Sequence, residues 1–204
     1  MAFGKHFFPP QRRALWSEVS RELGAEFIRG GVWKSDRIVA RLQQWEIVMD
    51  AYTVHTGQVM MEYTRFRAPF VSTDGIRFRV YRKGFLNWLR LLFSRNDIQV
   101  GVPEFDDAFV IHGNRPETLS RFFANAEIRN LLSVHKRFDF KILDDEGWLG
   151  SKFPQGVDEL YFEVSGAMRD KQLIKAVFSL LSVSLKQLVA IGSAQTAATG
   201  VVLK

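Results

Sequence analysis

Four arginines fall at period two on two nearby stretches: Arg65 and Arg67 in Thr64-Arg65-Phe66-Arg67, and Arg77 and Arg79 in Ile76-Arg77-Phe78-Arg79. Side chains of a strand alternate between its faces, so antiparallel pairing of these stretches would put all four guanidinium groups on one face, with Phe66 and Phe78 turned the other way into a core. Like charges facing each other across strands repel unless something neutralises them. Two neutralisers fit. Glu46 and Asp50, at matching parity on the preceding stretch, can pair with the arginines on a solvated sheet face. A bound phosphate, carboxylate or nucleic-acid backbone can do the same, because a guanidinium fork suits such anions. Arg65, Arg67, Arg77 and Arg79 are therefore the candidate set for an anionic partner.

Other residue types offer less. Nucleic acid is the weaker version of the same idea, since the aromatic-rich glycine signature of an RNA recognition motif is missing. Glu104, Asp106 and Asp107 precede an apolar stretch, and Asp144-Asp145-Glu146 form a turn. Converging in a pocket, such carboxylates would suit a cofactor-independent enzyme; turns and caps use the same residues. The second group lacks the spacing of a calcium loop. His6, His55, His112 and His135 are scattered, and no cysteine exists to complete a metal site with them. Ala190-Ile191-Gly192-Ser193-Ala194 lacks the frame and the preceding strand of a nucleophile elbow, and Gly30-Gly31 is too short for a phosphate-cradling loop. No catalytic set, metal or cofactor is called for, and the reading leans to a non-enzymatic binding or scaffold module.

The elements that must hold these residues follow from periodicity. Residues 11–28 read as a helix with Leu15, Val19, Leu23 and Phe27 along one face, stopped by Gly30-Gly31. Residues 32–42 fit strand or helix, and strand is chosen. Residues 45–54 and 59–66 form a hairpin through Thr56-Gly57, and 76–82 alternate cleanly after Asp74-Gly75. Residues 84–95 read as a short helix, apolar almost all round, with Asn87, Arg90 and Ser94 as a polar stripe. Flanked by basic residues and carrying Phe85, Trp88, Leu89 and Leu92, it could lie in a membrane surface or be buried. Residues 105–111 read as a strand. Asn114, Pro116 and Glu117 then open a helix that bends near Asn125. Strands at 138–143 and 160–164 and a long helix over 170–191 complete the order. The wide apolar arc of that last helix needs cover on several sides and leaves room for a homodimer.

Runs of strands without βαβ alternation predict an α+β fold: an antiparallel sheet of three to four strands plus a second strand-helix-strand-strand lobe, packed by the N-terminal and long C-terminal helices. The 204 residues fit a single domain over 1–194, divisible into sub-lobes 11–96 and 97–194, with a flexible tail at 195–204. Eighteen Phe and five Trp supply a large core. The absence of cysteine excludes disulfides and thiolate chemistry and favours a reducing compartment. The first ten residues lack the apolar core of a signal peptide, and no apolar run nears the roughly 20 residues of a membrane span, so a cytoplasmic location is expected. Net charge is +6, with +7 in residues 1–100 and −1 in the rest, which directs any anionic partner to the first half.

Several stretches carry a family likeness: Thr64-Arg65-Phe66-Arg67-Ala68-Pro69, Asp97-Ile98-Gln99-Val100-Gly101, Pro103-Glu104-Phe105-Asp106-Asp107-Ala108-Phe109-Val110-Ile111, Asp144-Asp145-Glu146-Gly147-Trp148 and Val157-Asp158-Glu159-Leu160-Tyr161-Phe162, together with Ile191-Gly192-Ser193-Ala194. From near Trp16 to Ala194 the chain resembles a family of uncharacterised bacterial proteins of unknown function. The resemblance implies a bacterial protein, strand at 36–42, and no catalytic residues to carry over.

Overall fold

The computed structural model describes residues 10–31, 35–57, 59–84, 97–144 and 153–203. In chain order the elements are helix α1 (Pro10–Leu23), strands β1 (Glu26–Ile28), β2 (Arg37–Leu42), β3 (Trp45–Thr56), β4 (Val59–Ser72) and β5 (Phe78–Arg82), helix α2 (Pro103–Ala108), strand β6 (Phe109–Gly113), helices α3 (Pro116–Phe123) and α4 (Ala126–Ser133), strands β7 (Asp139–Leu143) and β8 (Val157–Ser165), helix α5 (Lys171–Ala190) and the short strand β9 (Ala194–Gln195). The fold is α+β, as the strand runs predict. Residues 85–96 and 145–152 lie outside the described residues, and with them the expected helix that carries Phe85, Trp88, Leu89 and Leu92.

Three local readings are corrected. The first helix ends at Leu23 because Gly24 takes a left-handed backbone (φ 63°), the stop position where glycine has no steric cost; residues 26–28 then turn back as a strand. Residues 103–108 form a helix rather than the start of a strand. Pro103 sits in its first turn, and the Asp106 carboxylate turns back to accept from the amides of Val100, Gly101 and Val102 at 2.9, 3.0 and 3.1 Å. Helix α3 starts where expected, on Pro116, but Asn114 does not cap it. Its amide bridges the Arg77 N–H and the Gly75 carbonyl instead. The break near Asn125 is the start of α4, where the Asn125 side chain accepts from the amides of Glu127 and Ile128.

All strand pairings are antiparallel, and the order across the sheet is β1-β2-β3-β4-β8-β7-β5-β6, with β9 added to β4. The two expected strand groups are therefore one sheet. Strand β8 from the second half lies between β4 and β7, and β5 from the first half lies between β7 and β6, so residues 11–96 and 97–194 interleave.

One face carries the core. Phe66 meets Phe178 of α5 edge-on at 5.3 Å, Phe138 stacks on Phe162 at 5.3 Å, and Phe78 touches Phe122, Phe123 and Phe140. Among the described helices only α5 is long and apolar enough to cross a membrane; here Ile174, Val177, Phe178, Leu181, Leu185 and Leu188 are buried in this core. Its lysines tie it to α1 through Lys171–Glu18 and through Lys175–Glu22 at 2.8 Å. Where a flexible tail is expected, the described chain is docked. Ser193 is buried and donates to Asp74, β9 pairs with β4, and Leu203, 5% exposed, packs on Val39 and Val48 while its carbonyl accepts from Arg37.

Two measurements test this packing. Leu203→Ala should lower unfolding free energy by about 2 kcal/mol in urea titration, whereas a free tail would leave it unchanged. His135 is buried against the rings of Phe138 and Phe162, and burial pushes its pKa down to about 4 despite the opposing charge of Asp170. The unfolded imidazole protonates near 6.5, so the neutral buried ring contributes fully above that pH, and its contribution is lost as pH falls toward the folded value. Wild-type stability should drop by up to roughly 3 kcal/mol over that window, and His135→Leu should remove the slope.

Candidate functional site

The sheet face opposite α5 holds the charges. Cross-strand register puts Asp50 beside Arg65, Arg65 beside Glu163, Glu163 beside Asp139, and Lys141 beside Arg79, so these side chains share one side of the pleat. The sequence expectation that Arg65, Arg67 and Arg79 face one way is met by this register. Their strands are not neighbours, however: β8 and β7 separate β4 from β5 by about 14 Å. Arg77 lies just before β5 and closes its fork on Asp158, a residue of the opposite parity on β8.

Each of the four arginines holds a carboxylate. Asp50 accepts from Arg65 Nε at 2.6 Å and Nη2 at 3.1 Å, and from Arg67 Nη2 at 2.7 Å. Asp139 accepts from Arg79 at 2.7 and 3.0 Å and from Lys141 at 2.8 Å. Asp158 takes Arg77 bidentately at 2.7 and 2.8 Å, with Asp144 a further 3.7 Å contact. Of the two internal neutralisers the sequence offers, Asp50 is used; Glu46 pairs with Arg41, which also reaches Glu26. The expectation of a basic face open to an anion is thus corrected: cations and acids alternate across it, and an incoming anion would have to displace a carboxylate already in place.

Two tyrosines complete the layer. The hydroxyls of Tyr52 and Tyr161 both donate to Glu163 Oε2, while the Arg65 guanidinium lies 4.9 Å over the Tyr52 ring and Lys141 4.8 Å over that of Tyr161. Burial and the Glu163 carboxylate raise both phenols far above their ordinary pKa, so they stay protonated as donors. Burial works against the charge of Arg65, but the Asp50 hydrogen bond and charge outweigh it and hold the guanidinium firmly ionised. His112, hydrogen-bonded to Tyr81 at 3.1 Å, is lowered by burial and by Arg79, with Asp97 opposing. Asp50 and Arg67 are nearly fully buried, and Arg67 is 1% exposed. In chemical terms the layer is one of shared carboxylates: Asp50 and Asp139 each hold two cations and Glu163 holds two phenols.

The acidic alternative does not converge. Asp106 sits beside Lys83 at one end of β5, and Asp144 beside Arg77 at the other, roughly 20 Å of strand apart. Asp145 and Glu146 lie outside the described residues, as does His6. Among the described residues no three His, Asp or Glu gather as metal ligands.

Pro69 has a local effect that the sequence alone does not expose. The two-residue turn closing β3–β4 makes the odd-numbered residues of β4 the ones whose amides face β3. Proline at 69 has no amide to offer, so the β3 ladder stops at Val48↔Arg67 and β9 takes over at Val71. A pocket of about 330 Å³ opens in that interval, lined by Arg41, Gln44, Trp45, Glu46, Pro69 and the docked tail.

Exposed apolar side chains cluster elsewhere. Strand β2 covers β3 only up to Asp50 and β8 covers β4 only from Tyr63, so residues 51–62 project from the sheet as a two-stranded arm. Val54, Val59, Met60 and Met61 on this arm are four of the six exposed large hydrophobics among the described residues, with Met60 at 65%. Within residues 51–62 the titratable side chains are Tyr52, His55 and Glu62; Tyr52 donates to Glu163, and Glu62 is tied to Arg12 of α1. The hairpin signal in the sequence marks the turn correctly, but both strands run longer than 45–54 and 59–66, and nothing local shows where their outer neighbours stop.

Comparison with family models, with curated proteins and with solved structures returns no match to this chain.

Removing the carboxylate shared by two arginines should be costly. Asp50→Asn is expected to lower unfolding free energy by about 3–5 kcal/mol in denaturant titration, because Arg67 has almost no solvent to turn to.

Proposed function

We propose that this chain is a non-enzymatic binding module that meets its partner through the β3–β4 arm rather than through the arginine face. The carrying observation is that a ribbon without lysine or arginine projects beyond the sheet and concentrates Val54, Val59, Met60 and Met61 at the surface. Monomeric proteins seldom expose contiguous apolar surface without a use for it, and methionine adapts to a partner's contours at low cost. A protein partner is favoured over a lipid surface because residues 51–62 carry no lysine or arginine to meet anionic headgroups. The charged layer beneath then acts as a scaffold: with Arg65 stacked on Tyr52 and Tyr52 on Tyr63 at 5.4 Å, it stiffens the root of the arm.

A photo-cross-linking residue at position 60, in cells of the source organism, should give discrete adducts, and the same residue at the exposed position 186 of α5 should not. Equal or absent labelling at both positions would overturn the reading.

A further inference from the structure

We infer that the arm's partner is a second copy of this chain, joined by antiparallel pairing of the open edge of β3 with itself. This rests on the arm being the contact element and adds the identity of what it contacts. Alternation along β3 sends the amides and carbonyls of Thr53 and His55 away from β4, beyond the point where β2 ends at the Arg37↔Asp50 pair and beyond the buried Ala51. Among the described residues no strand pairs with that edge. Open edges in natural sheets are normally guarded by charge, proline, a bulge or short length. Tyr52-Thr53-Val54-His55-Thr56 holds no proline and no Asp, Glu, Lys or Arg, and it is rich in β-branched and aromatic residues, the composition that pairs most readily with its own kind.

Charge favours a like partner. Each chain carries +6, which opposes association across most surfaces, but the arm holds no lysine or arginine, and its one acid, Glu62, is already paired. A two-fold axis through Val54 sets Thr53 of one protomer against His55 of its partner. In that register Val54 meets Val54 at a close, non-hydrogen-bonded position, on the same side as Tyr52, Met61 and Val59. The sheets of both copies become continuous across the axis, an isologous closed dimer. The contact is smaller than the roughly 800 Å² per partner of a standard interface, so a concentration-dependent equilibrium is expected rather than an obligate dimer.

Sedimentation velocity on the full chain tests this. Wild type should shift from monomer to dimer with rising concentration, and Val54→Lys and Val54→Asp should each stay monomeric with unchanged far-UV circular dichroism. An equimolar mixture of the two variants should recover the dimer, since unlike charges then face each other across the axis, a result that misfolding could not give. Wild type that stays monomeric to about 200 µM, or a dimer indifferent to both substitutions, overturns the inference. If position 60 meanwhile cross-links to a different protein, the arm keeps its role and only the second copy is refuted.

Discussion

The β4–β8 ladder is the constraint on which the other features depend. It runs from Tyr63↔Ser165 to Val71↔Val157 and joins the first half of the chain to the second. Because it fixes parity, Phe66 and Phe162 fall together on the helical side, and Arg65, Arg67, Tyr161 and Glu163 on the other. A slip of one residue would drive guanidinium groups into the phenylalanine core and phenyl rings into the charged layer. Few registers are so unequal in energy, and the neighbouring strands inherit their facing from this one.

The charged layer shows what a sheet does with arginines when its second face is largely shielded. Asp50 and Asp139 each serve two cations, Glu163 serves two phenols, and Tyr52 and Tyr161 each also lie beneath a cation. Such pairs add little net stability over an apolar layer, since desolvation offsets most of the attraction. Their effect is on uniqueness: each cation has its counter-charge at one register and lacks it at the next.

Much of this was legible in the sequence, and the boundary is physical. Alternation in Thr64-Arg65-Phe66-Arg67 and Ile76-Arg77-Phe78-Arg79 is local, so facing could be read. The acids that neutralise those arginines are not local, apart from Asp50: Asp139 and Asp158 come from strands of the second half, whose positions between and beside β4 and β5 depend on long-range pairing. A count of nearby carboxylates in the sequence therefore overstated the free positive charge. Helix ends erred for a different reason. Gly24 and the pair Pro103 with Asp106 act through backbone conformation and capping, and these outweighed the apolar periodicity that suggested a longer first helix and an earlier strand.

The interleaved strand order also bears on synthesis. As the ribosome releases β1 to β5, the long strand β4 has β3 on one side and nothing on the other, and β5 has no neighbour at all until β6, then β7, emerge. Neither half can close its sheet alone. The nascent chain must hold an unpaired, aromatic-rich strand face until about a hundred further residues arrive, a delay that makes slow, late-committing folding and a need for chaperone shelter the natural companions of this topology.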